Sequence, residues 1–143
     1  MLGIIGAMDE EVARLKEMIS GLHIVQRAGM EFYKGQISEK DVVVVKCGVG
    51  KVNAAMCTQS MIDLFSVDAI INTGIAGSLD ADIDIGDIVI ATDTVEHDMD
   101  VAALGYAPGI IPDTEISVFK TDTELLETCL LYTSPSPRDM RRS

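Results

Sequence analysis

MLGIIGAMDEEV, residues 1 to 12, decides the class of fold. Leu2 to Ile5 read as a short buried strand, Gly6 as a turn and Asp9 onward as a helix. A strand passing through a glycine turn into a helix start is where many α/β proteins hold an anion on free backbone N–H groups. Here the turn is followed at once by Asp9, Glu10 and Glu11. Carboxylates suit the positive end of a helix, and for Asp9 and Glu10 that is reason enough. Within DEEVARLKEMIS, Val12, Leu15, Met18 and Ile19 share one face, which is the pattern of an amphipathic helix reaching Ser20.

Downstream, LHIVQ (22–26), MEFYKGQI (30–37) and DVVVVKC (41–47) read as three strands, with Lys40-Asp41 as the hairpin turn between the last two. The run of valines is apolar at every position, as in a strand covered on both faces. GVGKVNAAMCTQSMIDLF (48–65) opens with a glycine turn and continues as a helix, and DAIINTG (68–74) is another buried strand ending in the glycine loop TGIAGSL. DIVIATDTVEHDMDV (87–101) reads as one longer strand running into a polar patch. TDTELLETCLL starts a helix, with Thr121 and Glu124 in capping-box spacing. The order β-α-βββ-α-β-loop-β implies an α/β fold, a layered mixed β-sheet flanked by helices.

Composition excludes several classes of partner. The chain has 143 residues, is 48% hydrophobic and carries a formal charge of −12, enough for one domain with a real core. So acidic a surface repels nucleic acid and anionic lipid. No apolar run approaches the roughly 20 residues of a membrane span, and the N-terminus lacks the basic region of a secretion signal. Cys47, Cys57 and Cys129 show no metal-ligand spacing, which fits reduced thiols in the cytoplasm. His97, Asp98 and Asp100 have the chemistry of metal ligands, but a polar strand end with internal hydrogen bonds accounts for them better.

The last stretch breaks the pattern. Residues 129–143 hold three arginines against one acid, whereas residues 1–128 hold eight basic and 22 acidic groups. LYTSPSPRDMRRS (131–143) has two prolines and no apolar period, so it is expected neither to continue the helix nor to join a core. CLLYTSPSPRD also resembles the conceptual translation of a sequencing-library adapter. The domain is therefore expected to occupy residues 1–128, and residues 129–143 to be a non-native tail, the alternative being a disordered native one.

GIIGAMDEEV, GVGKVNAA, INTGIAGSL, GDIVIAT and HDMDVAALGY, in this order, resemble the methylthioadenosine/S-adenosylhomocysteine nucleosidases, within the purine nucleoside phosphorylase-like superfamily. The resemblance runs from Met1 to about Thr128. It implies hydrolysis of an N-glycosidic bond that releases adenine, with no metal and no cofactor, in a cytoplasmic homodimer. The last acid of the first motif, Glu11, would hold and activate the attacking water and keep phosphate out. Ala7 and Met8 would lie near the sugar, Val49 near the ribose or the alkylthio group, and Ile75, Ala76 and Gly77 along the base and ribose. Many relatives have serine in place of Ile75, so any hydrogen bond from that hydroxyl is absent. Packing alone is the other reading of Val49 and Ile75. Val101, Leu104, Tyr106 and Pro112 match a segment that closes the neighbouring subunit's alkylthio pocket.

By the same resemblance, the acid that protonates the departing adenine and the Met-Glu pair that binds the ribose lie beyond residue 143. Asp139 sits in the tail and does not substitute for that acid. The chain is thus expected to be the N-terminal part of such an enzyme and inactive by itself. The alternatives are another purine nucleoside hydrolase acting on futalosine or AMP, a phosphorylase, or an inactive nucleoside-binding fragment. The acidic turn argues against the first loop holding a phosphate.

Overall fold

In a strand, four consecutive valines can all be buried only with cover on both sides. Val42–Val45 are at most 2% exposed, and the elements around them show why. The computed structural model describes residues 1–133, which form two compact units, Met1–Leu79 and a second beginning at Asp80. The first unit runs β1 (Leu2–Gly6), α1 (Asp9–Glu17), β2 (Ser20–Arg27), β3 (Met30–Ile37), β4 (Lys40–Lys46), α2 (Lys51–Phe65) and β5 (Ala69–Asn72). Its sheet has the order β2-β3-β4-β1-β5. β1 is parallel to β4 and β5, and β3 is antiparallel to β2 and β4. The mixed sheet expected from the sequence is present.

The pleat sends alternate residues of β4 to opposite faces. Val42 and Val44 join Ile4 and Val12, with Leu15 and Ile19 beside them, in a core under α1. Val43 and Val45 join Ile5, Phe32, Cys57 and Met61 in a core under α2. Full burial of each such side chain contributes about 1.5–3 kcal/mol over leaving it in water. β2 is one edge of the sheet and leaves Leu22 and Ile24 exposed.

Two local features differ from the sequence expectation. The hairpin turn is Ser38-Glu39, not Lys40-Asp41: Ile37 faces Lys40 in the ladder, and both turn residues have positive φ, 47° and 66°. A two-residue hairpin loop needs that left-handed geometry to match the strand twist. The first helix stops at Glu17, and Ser20 already belongs to β2, where its hydroxyl donates to the Gln36 carbonyl at 3.2 Å.

The second unit contains β6 (Asp93–Val95), a 3-10 helix (Ala102–Leu104), β7 (Val118–Lys120) and α3 (Thr123–Thr133). The long strand expected over 87–101 is three residues, because among the described residues its ladder extends only where β7 pairs with it. The cap of α3 is Asp122, whose Oδ1 accepts from the Leu125 N–H at 2.9 Å, while the Thr121 hydroxyl donates instead to the Ala91 carbonyl at 2.7 Å. α3 continues through Leu131 to Thr133, against the expectation that 131 onward could not be helical. The first proline of that stretch is Pro135, and proline restricts chiefly the one residue before it. The remainder of the expected tail, residues 134–143 with Asp139, lies outside the described residues.

Candidate functional site

The three parallel strands end along one edge. Gly6 pairs with Lys46, and Ile5 with Asn72. The ladder goes one step further, with Cys47 N–H donating to the Gly6 carbonyl and Thr73 N–H to the Ile5 carbonyl, both at 2.9 Å. The loops at Ala7-Met8, Gly48–Gly50 and Thr73–Gly77 therefore leave the sheet side by side. The carboxyl ends of parallel strands are where open α/β sheets bind ligands.

Glu11 ties two of these loops together. Its Oε2 accepts from the N–H groups of Ala7 at 2.6 Å and Met8 at 2.9 Å, and its Oε1 accepts from the Ile75 N–H at 3.0 Å. Met8 is the N-cap of α1 and Glu11 its third residue, so the carboxylate folds back over the helix start as in a capping box. Two of the backbone donors at this strand–turn–helix junction, the Ala7 and Met8 N–H groups, are thus taken by the chain's own carboxylate. The Ile75 N–H above all, then that of Met8 and least that of Ala7, hold the Glu11 carboxyl below its ordinary value, with desolvation opposing them. Gly6 makes the close helix approach possible: a Cβ there would stand 2.6 Å from Val12 Cγ1 and 3.0 Å from Glu11 Cβ.

The neighbouring acids do other work. Asp9 pairs with Lys46 at 2.6 Å and Lys16 at 3.8 Å, and the hydrogen bond from Lys46 holds its carboxyl below the usual range. The pair fastens the start of α1 to the end of β4. Lys16 also lies over the Tyr33 ring, 4.3 Å from its centre. A crevice of about 530 Å³ beside them, lined by Asp9, Lys16, Arg27, Glu31, Tyr33 and Lys46, does not include Glu11. Within it Glu31 accepts from the Tyr33 hydroxyl at 2.7 Å.

Around Glu11 the expected pocket residues fall on the same loops. Ala7 is half-buried, and Met8, Val49, Ile75, Ala76 and Gly77 are exposed. Val49 is 74% and Ile75 81% exposed, so neither is a core residue. Sequence reading missed Asn53, whose Nδ2 donates to the Val49 carbonyl at 2.8 Å and fixes the Gly48–Gly50 loop. The only signal was an amide one turn into the helix behind that loop. Cys47 and Cys57 are buried in the core under α2, and desolvation pushes the Cys57 thiol up to about 12, which makes it a poor nucleophile.

In the second unit, Val101 and Leu104 bracket the 3-10 helix, closed by the Leu104 N–H donating to the Val101 carbonyl at 2.9 Å. Leu104 and Tyr106 are exposed, and Val101 and Pro112 half-buried. Asp100 Oδ1 accepts from the Ala102 N–H at 3.1 Å, a local turn contact.

The family model of the phosphorylase superfamily matches residues 1–138. The chain belongs to this superfamily. Among curated relatives, the 5'-methylthioadenosine/S-adenosylhomocysteine nucleosidase of Staphylococcus haemolyticus is 46% identical over 128 residues, 90% of this chain and 56% of that protein. Among solved structures, the nucleosidase of that name from Colwellia psychrerythraea, in complex with adenine, is 43% identical with a TM-score of 0.84, over 88% of this chain and 52% of that one. The Neisseria meningitidis nucleosidase in complex with methylthio-immucillin-A is 38% identical with a TM-score of 0.87, over 94% and 59%. The chain spans about half the length of the relatives it matches. Over that span the superfamily fold expected from the sequence is present.

Proposed function

We propose that the whole protein hydrolyses the N-glycosidic bond of 5'-methylthioadenosine and S-adenosylhomocysteine, releasing adenine, and that Glu11 holds the attacking water. One observation carries the role of Glu11. An ionised carboxylate has about four acceptor positions, and three are filled by the N–H groups of Ala7, Met8 and Ile75. Among the described residues the fourth, on Oε1, receives no donor, and it lies at the loops that end the parallel strands. A water donating there has its lone pairs free for an electron-poor sugar carbon, and the nearby negative charge favours that cationic centre over an anion. Because its backbone donors keep Glu11 ionised at neutral pH, it accepts this hydrogen bond throughout the physiological range. The names and bound ligands of the similar proteins support the choice of substrate.

In this reading Ala7, Met8, Ala76 and Gly77 border the sugar and base, and the exposed Val49 and Ile75 give apolar contact without hydrogen bonds. Val101, Leu104, Tyr106 and Pro112 cover the alkylthio group of a second subunit in a cytoplasmic homodimer, where dispersion is what a thioether offers. The tail from residue 129 takes no part. The test is adenine release from methylthioadenosine by the protein extended to the length of its relatives. Turnover of methylthioadenosine supports the reading; turnover of futalosine or AMP in its place overturns it.

A further inference from the structure

Gly74, between the end of β5 and Ile75, makes the closest approach to the Glu11 carboxylate of any glycine in the described residues. A Cβ built there would stand 2.5 Å from Glu11 Oε1, 2.9 Å from Cδ and 3.3 Å from Oε2, with no other atom nearer than these. The backbone of Gly74 is outside the left-handed region, so conformational freedom does not explain a glycine here. An alanine would fit the backbone and collide with one thing, the end of the Glu11 side chain. Three residues on, Gly77 has nothing within 4 Å of its own Cβ position.

We propose that Gly74 is a positioning residue for Glu11: the side chain it lacks is the space in which Oε1 lies against the Ile75 N–H. Gly6 and Gly74 then divide the task. Gly6 lets α1 settle on β1, and Gly74 lets the carboxylate cross from the first loop to the third, 64 positions along the chain. A Cβ at position 74 pushes aside the far end of a flexible side chain and not the backbone, so the fold survives. What is lost is the Ile75 hydrogen bond, and with it the fixed direction of the remaining acceptor position on Oε1. The consequence for water rests on the function proposed above; the geometric claim does not, and its test uses no substrate.

The 143-residue chain, labelled with ¹³C at the glutamate carboxyls and with ¹⁵N, is titrated as the parent and as Gly74→Ala, Gly77→Ala and Glu11→Gln, the last assigning the Glu11 signal. The expected result is an upward move of the Glu11 midpoint in Gly74→Ala, because a backbone donor that lowers it is lost. The Ile75 amide proton should shift upfield in the same variant, while Gly77→Ala leaves both signals at their parent positions. A parent-like Glu11 midpoint and Ile75 shift in Gly74→Ala would overturn the proposal, as would equal shifts in Gly77→Ala. Thermal melts of Gly74→Ala in the parent and in a Glu11→Ala background provide the second measurement. The loss in melting temperature caused by the alanine should disappear when the Glu11 side chain is absent. An equal loss in both backgrounds refutes the claim even where Gly74→Ala is too unstable for spectroscopy.

Discussion

Replacing Glu11 by glutamine changes few atoms and has a geometric consequence that can be worked through. The amide has one acceptor oxygen and one NH₂ donor group. Oε2 faces two N–H donors, those of Ala7 and Met8, while Oε1 faces one, that of Ile75. The amide oxygen therefore settles on the side with two donors, and the NH₂ turns toward the Ile75 N–H and the vacant acceptor position. The water then meets a donor where it had an acceptor. Losing a positioned acceptor for the attacking water removes about 10²–10⁴ in rate. KM for methylthioadenosine should move little, because sugar, base and thioether contacts are untouched, so the loss falls on kcat. The assay is continuous adenine release by the protein extended to the length of its relatives, with circular dichroism to verify folding. A Glu11→Gln variant within ten-fold of the parent kcat would refute the role of the carboxylate.

Other consequences concern stability and are measurable on the chain itself. Phe32 has no exposed surface, and its ring centre lies 5.5 Å from that of Phe65. Phe32→Ala should cost about 3–5 kcal/mol in urea unfolding, a loss under 1 kcal/mol contradicting the packing described. Replacing Ser38-Glu39 by Asn-Gly, which suits positive φ at both turn positions, should raise stability by about 1 kcal/mol, and no gain would mean a different turn. Glu11 and Asp9 have native values below their ordinary 4.5 and 3.8, so the unfolded chain binds protons more readily than the native one. Their contribution is complete above about pH 4.5 and is lost as pH falls through the native values. Melting temperature should drop over that window, less so in Glu11→Gln.

What the sequence makes legible is what local patterning determines. Val42–Val45 announce a strand covered on both faces because four β-branched residues favour a strand, and a strand hides all four only when both faces are covered. DEEVARLKE announces α1 because its acids and its apolar face agree. The hairpin turn is two residues off because Ser38-Glu39 lacks the Asn or Gly that usually marks such a turn, while the ladder opposite Ile37 fixes it. Residues 87–101 read as a long strand from composition, yet strand length depends on a partner far along the chain. Thr121 and Asp122 are both cap-type residues, and only the bond to the Leu125 N–H selects Asp122. At the site, the loops and Glu11 stand out by motif. That Glu11 reaches Ile75 across the ends of β1 and β5, and that Gly74 leaves room for it, are facts of tertiary structure without a local signal.

The central claim is that a carboxylate of the chain occupies the place where a phosphorylase would hold its anion, so water is the nucleophile. The most direct measurement is single-turnover cleavage of methylthioadenosine by the extended protein in H₂¹⁸O containing inorganic phosphate, with mass analysis of the sugar. One ¹⁸O at the anomeric position, no sugar 1-phosphate and a rate indifferent to phosphate are predicted. A sugar 1-phosphate, formed at a rate that rises with phosphate concentration, would contradict the account.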